Sequence, residues 1–169
     1  MSARSNYIRK EYPETVAAYM AGILDGEGSL SIGNHSGNRK NGDRHFQVNI
    51  AICSTDEVLI TWIVDTFGGY KGKYTPNQMC KNGRKQVFRW QCSSDRLSHI
   101  CEICLPYLII KKRQAEILLE IRKTFNDSHN QKGKQGVQRI PEEILNLRQS
   151  LFLELRTLHN RTYSYKNDK

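Results

Sequence analysis

Nothing in the 169 residues forms an apolar run of the roughly 20 that a helix needs to cross a bilayer, so no helical membrane span is expected. The first residues lack the apolar h-region of a secretory signal. Met1 to Lys10 reads instead as a basic arm or a weak organellar address. Proline is scarce: Pro13, Pro76, Pro106 and Pro141 are the only four, and each falls at a break in the hydrophobic pattern. Acidic residues are too few to balance the basic ones, 17 against 26, which leaves a formal charge of +9. That surplus disfavours a cationic partner and favours a polyanion. A basic surface kept for solubility is the plainer alternative.

The five cysteines are odd in number, so they do not all pair within the chain. Without a secretory signal they are expected as reduced thiols inside a cell. Cys101 and Cys104 have the C-x-x-C spacing of a zinc site, but no second such pair follows. They lie in an apolar, helix-like run with Leu97, Ile100, Ile103 and Leu105, which favours buried core thiols.

What is present is an alternation of two periods. Val16, Ala17, Met20, Ala21, Ile23 and Leu24 recur with helical spacing after Pro13, and the helix must stop near Gly26 to Gly28. Ser29 to Gly33 and His45 to Cys53 alternate as strands around a polar loop over Asn34 to Asp43. In the second strand Phe46, Val48, Ile50 and Ile52 face one way, and His45, Gln47, Asn49, Ala51 and Cys53 the other. Ser54 and Glu57 have capping-box spacing for a second helix, ended by Gly68-Gly69. Tyr70 to Thr75 and Gln86 to Cys92 read as a second hairpin. Helices are expected over Ser94–Cys104, Lys112–Phe125 and Pro141–Leu158. The chain thus divides into an arm over 1–13, a core over 14–125, a basic loop over 126–139, and a C-terminal helix and tail over 140–169.

Two hairpins can join into one antiparallel sheet with helices on its apolar face, an α+β arrangement. The other face would then be free. Its candidate residues are Gln47, Asn49, Lys71, Lys73, Lys85, Arg89 and Gln91, a hydrogen-bonding set suited to a DNA major groove. Alternation alone favours a merely solvated face; alternation together with the +9 charge and the segment from Tyr19 to Ser29 does not.

The most specific segment is Tyr19-Met20-Ala21-Gly22-Ile23-Leu24-Asp25-Gly26-Glu27-Gly28-Ser29. Its small adjacent residues, Ala21 and Gly22, permit close approach of another helix. Glu27 stands at a helix exit, where the macrodipole disfavours an unpaired anion and invites a cation. Two such carboxylates meeting across a two-fold axis would need cations or protons. Hard oxygen donors are what Mg²⁺ prefers.

This segment resembles the LAGLIDADG signature of homing endonucleases. A second stretch, Leu105 to Ala115, is similar to a "PYL-x-x-K-x-x-QA" pattern of the same family. The resemblance covers about Glu14 to Ile121 and implies an αββαββα fold with a four-stranded saddle sheet and helices on one face. It implies a site-specific endonuclease that hydrolyses one phosphodiester per DNA strand and leaves short 3′ overhangs. The motif occurs once, so it implies a homodimer on a pseudo-palindromic site, with Ala21, Gly22 and Asp25 at the dimer seam. Carried onto this chain, the metal ligands are Glu27 and the Gly26 carbonyl, with Mg²⁺ or Mn²⁺ as cofactor. Lys111 is expected to polarise the phosphate or the attacking water. The expected DNA contacts are Ser31, Gly33, His35, Arg44, Gln47, Asn49, Lys71, Lys73, Thr75, Lys85, Arg89 and Gln91. Such genes are intron-encoded in organelles, bacteria and phages, and intron RNA is a further partner of some relatives.

The chain also departs from the family pattern. Relatives often carry a Gln that positions the nucleophilic water, and Cys53 occupies that place here; a thiol is a weak substitute for an amide. Relatives have a basic residue soon after it, where this chain has Asp56 and Glu57. Three other readings stay open. One is a binding-only maturase or regulator on the same fold. Another is a zinc-stabilised adaptor using Cys80, Cys92, Cys101 and Cys104. The third, a His-Asn-His-type nuclease on His129 or His159, lacks a ββα pattern around those histidines.

Overall fold

The computed structural model describes residues 7–36, 44–74, 86–130 and 140–160. Its elements are α1 (Glu14–Glu27), β1 (Gly28–Ser36), β2 (Arg44–Ser54), α2 (Glu57–Phe67), β3 (Tyr70–Tyr74), β4 (Val87–Cys92), α3 (Ser94–Cys104), α4 (Lys112–Asn130) and α5 (Glu142–Asn160). The strands form one antiparallel sheet in the order β1-β2-β4-β3, so the two hairpins join through β2 and β4. This is the α+β layout that the alternation predicts.

One sheet face carries Leu30, Ile32, Phe46, Val48, Ile50, Ile52, Phe88, Trp90 and Cys92, all buried against the helices. Side chains in a strand alternate, so the opposite face is set by the same register. Trp90 anchors the centre: it is fully buried, and its indole N–H donates to the Gly68 carbonyl at 2.7 Å. Gly68 and Gly69 have φ of 70° and 109°, the left-handed turn that ends α2. A β-carbon on Gly69 would lie 2.5 Å from the Trp90 nitrogen, so this turn and the anchor require each other. Arg148 is buried with Thr124, donating to its hydroxyl at 2.8 Å, and this pins α5 to α4.

Several local expectations change. The cap of α2 is Asp56, which accepts the Val58 N–H at 2.9 Å, while Ser54 accepts the Asp56 N–H at 3.0 Å. Ser54 is still in β2, so it cannot be the helix cap. Helix α4 continues through Asn130, past the expected loop start at 126, because no Gly or Pro interrupts the run before Gly133. From Tyr7 onward the arm lies against the core, with the Tyr7 hydroxyl 2.7 Å from His99 Nδ1 and the Tyr12 hydroxyl donating to the Thr66 carbonyl. Cys92, Cys101 and Cys104 are buried; burial pushes the thiols of Cys92 and Cys104 up to about 12 and that of Cys101 well up too, favouring neutral core thiols. Cys80 lies outside the described residues. Among the described residues no three His, Cys, Asp or Glu side chains converge, and no helix is long and apolar enough to cross a membrane.

Candidate functional site

The site is built where α1 runs into β1. Ala17, Met20, Ala21 and Leu24 bury one side of α1, and the outward side carries Ala18, Tyr19, Gly22 and Gly26. A β-carbon built on Gly22 or Gly26 would meet nothing within 4 Å. The seam expected at Ala21 is therefore corrected: its side chain is spent on the chain's own core, and Ala18, Gly22 and Gly26 form the bare stripe. Asp25 is also committed within its own chain. Its carboxylate accepts the backbone N–H groups of Ile109, Ile110 and Lys111 at 2.8, 3.2 and 2.9 Å.

That carboxylate hangs the turn before α4 from the end of α1. The turn aims Lys111 at the same helix end, where its ammonium donates to the Leu24 and Asp25 carbonyls at 2.8 and 2.7 Å. A cation on the last carbonyls complements the negative end of the helix dipole. Burial pulls the Lys111 ammonium below the usual lysine range, while Asp25 and Glu27 hold it up in part. Glu27 itself is exposed and makes no ion pair or hydrogen bond among the described residues. A single chain therefore presents one free carboxylate beside one half-buried ammonium.

Burial opposes ionisation of Asp25, but the three backbone donors outweigh it and hold its carboxyl below the ordinary range. A depressed folded-state value gives stability that is present above the unfolded value near 3.9 and lost as pH falls through the folded one. Acid unfolding should therefore steepen below about pH 4, and Asp25→Asn should flatten that limb in a pH series of thermal melts. An unchanged limb would show that the three bonds do not favour the anion.

The open face of the sheet follows from the register. Ser29, Ser31 and Gly33 of β1 lie beside Ala51, Asn49 and Gln47 of β2. Ala51 and Cys53 lie beside Gln91 and Arg89 of β4, which lie beside Tyr70 and Gly72 of β3. The Ser31 hydroxyl donates to the Asn49 carbonyl at 3.4 Å. Extending the β1–β2 register by one residue from Gly28–Ile52 brings Glu27 level with Cys53, and Cys53 is level with Arg89. Further along the face lies a hollow of about 380 Å³ bordered by Gln47, Asn49, Tyr70, Gln91, Ser94 and Arg96. Ser94, at φ 59°, is the one non-glycine with positive φ among the described residues. The structure therefore places Ser31, Gly33, Gln47, Asn49, Cys53, Arg89 and Gln91 on one sheet face.

Lys71 and Lys73 are corrected. They pair with Trp90 and Phe88, whose side chains face the helices, so both lysines belong to the helix side. Lys71 donates to the Thr61 hydroxyl at 2.8 Å and pairs with Glu57 at 2.9 Å, tying β3 to α2. Charge had assigned these lysines to the open face, and register overrules it. The open face instead gains Ser29, His45 and Tyr70, which were left out of the contact set although alternation reaches the first two. His35 and Arg44 occupy strand positions, but their side chains lie outside the described residues, as do Thr75 and Lys85.

No protein-family model matches the sequence, and no curated protein matches it. Solved structures do match. The chain is similar to the homing endonuclease I-CvuI in complex with its target in the presence of calcium, at 18% identity and TM-score 0.68, over 86% of this chain and 82% of that one. It is similar to the archaeal intron-encoded homing endonuclease I-Vdi141I complexed with DNA, at 17% identity and TM-score 0.67, over 86% and 84% of the two chains. It is also similar to the LAGLIDADG meganuclease I-AabMI bound to uncleaved DNA, at 18% identity and TM-score 0.61, over 83% of this chain but 44% of that one. The chain has the LAGLIDADG homing endonuclease fold.

Proposed function

We propose that this chain is a homing endonuclease of the LAGLIDADG type, which hydrolyses one phosphodiester on each strand of a pseudo-palindromic DNA site as a homodimer. The observation that carries the proposal is Glu27, exposed and unpaired at the end of α1, beside a stripe of Ala18, Gly22 and Gly26 with no side chain in the way. Two such helices packed along their stripes would bring two Glu27 carboxylates together. The match to less than half of I-AabMI, against most of I-CvuI, supports a unit that works in pairs.

The donors fit a divalent cation such as Mg²⁺: a free carboxylate, a carbonyl at Gly26 and phosphate oxygens are all hard ligands. One chain alone offers too few, since no three acidic, His or Cys side chains converge among the described residues. Glu27 and the Gly26 carbonyl would hold the cation, with the partner copy and the DNA completing the set. When bound, it supplies Lewis-acid polarisation and lowers the pKa of water. Lys111 keeps the end of α1 neutralised and offers positive charge next to the reacting phosphate. Cys53 borders the centre, and its exposed thiol adds little to the ordering of water. The open sheet face reads bases while phosphate contacts set the register.

The test is cleavage of a randomised pseudo-palindromic DNA library with and without added Mg²⁺, paired with sedimentation of the complex. A small set of sequences should be cut in both strands, with short 3′ overhangs, only when the metal is present. The complex should contain two chains. Specific binding without cutting at any metal concentration would instead assign a binding-only protein on this fold.

A further inference from the structure

Most arginines of this protein with described side chains have a structural partner. Arg113 pairs with Glu116, Glu120 and Glu154, and Arg122 with Asp95. Arg9 pairs with Glu102, and Arg96 stacks on the Tyr7 ring at 5.0 Å. Arg89 is different. No ion pair, ring contact or hydrogen bond holds its guanidinium among the described residues, and its Nε, like those of Arg96 and Arg122, is buried with no acceptor. It is also the one Arg or Lys that the strands present on the open face among residues with described side chains. Its row neighbours are Cys53, a small side chain, and Gly72, over which the Tyr70 ring lies 3.0 Å from where a β-carbon would stand; neither neighbour offers the guanidinium a charged partner.

We infer that Arg89 is a specificity-determining residue that reads a guanine at the innermost recognised base pair of each half-site. The inference rests on the DNA-cleaving reading above. Three observations select a base rather than a phosphate. First, β4 is an interior strand, flanked by β2 and β3. A groove about 12 Å wide admits a two-stranded ribbon, and the interior strands β2 and β4 are the central pair of this sheet. Second, the long polar residues further along the same face, Gln91, Asn49 and Gln47, are amides, which pair with adenine edges and not preferentially with phosphates. Third, an unpartnered guanidinium fork matches the O6 and N7 of guanine bidentately. The pair is innermost because Arg89 is level with Cys53 and Glu27, whereas Gln91 lies two residues further out. Two strand residues span roughly 6.6 Å, about two base-pair rises, so an adenine preference is expected about two pairs outward.

The test selects cleaved sequences from a palindromic library with the full-length wild type, Arg89→Lys and Arg89→Gln. Wild type should show a guanine at the innermost selected pair. Both variants should lose about 10-fold or more of that discrimination and keep the outer preferences. Arg89→Lys retains the charge and stem, so it decides the question if Arg89→Gln melts early. The salt dependence of its binding should match wild type. Uniform weakening on every sequence by Arg89→Gln, with a salt slope reduced by about one and full rescue by lysine, would assign a phosphate contact and overturn the inference. Unchanged base preference would overturn it as well. If wild type binds without cutting, the nuclease reading fails separately, and the same selection on bound DNA still tests Arg89.

Discussion

Glu27→Gln is expected to reduce cleavage of a selected site by at least about 10³-fold while specific binding survives. The substitution keeps size and removes one anionic oxygen donor. Among the described residues that carboxylate makes no ion pair or hydrogen bond, and it acts on the Lys111 ammonium only through its charge. An anion at the C-terminal end of α1 faces the negative end of the helix dipole, so its loss should leave the melting temperature unchanged or slightly raised. Single-turnover cleavage, binding in Ca²⁺ and a thermal melt measure the three quantities. A variant that binds, melts like wild type and still cuts would remove Glu27 from the centre. A variant that fails to bind would show that the carboxylate serves recognition.

The second large effect is expected at Lys111→Met, which keeps the aliphatic stem and deletes the ammonium. Two consequences can be separated. The Leu24 and Asp25 carbonyls lose their donor at the end of α1, which should cost about 1 kcal/mol of stability. On a chain of 169 residues that corresponds to a fall in melting temperature of roughly 2–4 °C. The charge that the proposed function places beside the reacting phosphate also disappears, which should lower the cleavage rate by about 10²-fold or more with little change in affinity. A stability loss of this size with an unchanged rate would make Lys111 only a helix cap. A rate loss without a stability loss would mean that the ammonium serves cleavage and that those carbonyls do not depend on it for stability.

Much of the architecture was legible because the chain separates its periods cleanly. Phe46, Val48, Ile50 and Ile52 mark β2 unambiguously, and one marked strand fixes the side taken by each residue paired with it. Strand β3 carried no such mark. Its Tyr-Lys-Gly-Lys-Tyr run has polar groups on both sides, so the placement of Lys71 and Lys73 depended on pairing to β4, which composition does not encode. At the centre, Glu27 and Lys111 could be picked from their motifs. The role of Asp25 could not, because its partners are backbone N–H groups 84 to 86 residues away, and any residue type supplies those. The isolation of Arg89 was hidden for the opposite reason: a missing partner is visible only when all its neighbours are in place.

Gly28 is the joint between α1 and β1, and a β-carbon there would lie 2.6 Å from the Leu24 carbonyl oxygen and 2.8 Å from the Leu24 α-carbon. Both are main-chain atoms, so no change of rotamer can make room. The main chain that carries Glu27, one residue earlier, is thus gauged by backbone against backbone as well as by the fit of side chains. Over evolutionary drift, the core around it can exchange one hydrophobe for another and let helices settle by fractions of an ångström. This joint has no such tolerance, and its neighbour Glu27 inherits the fixed placement.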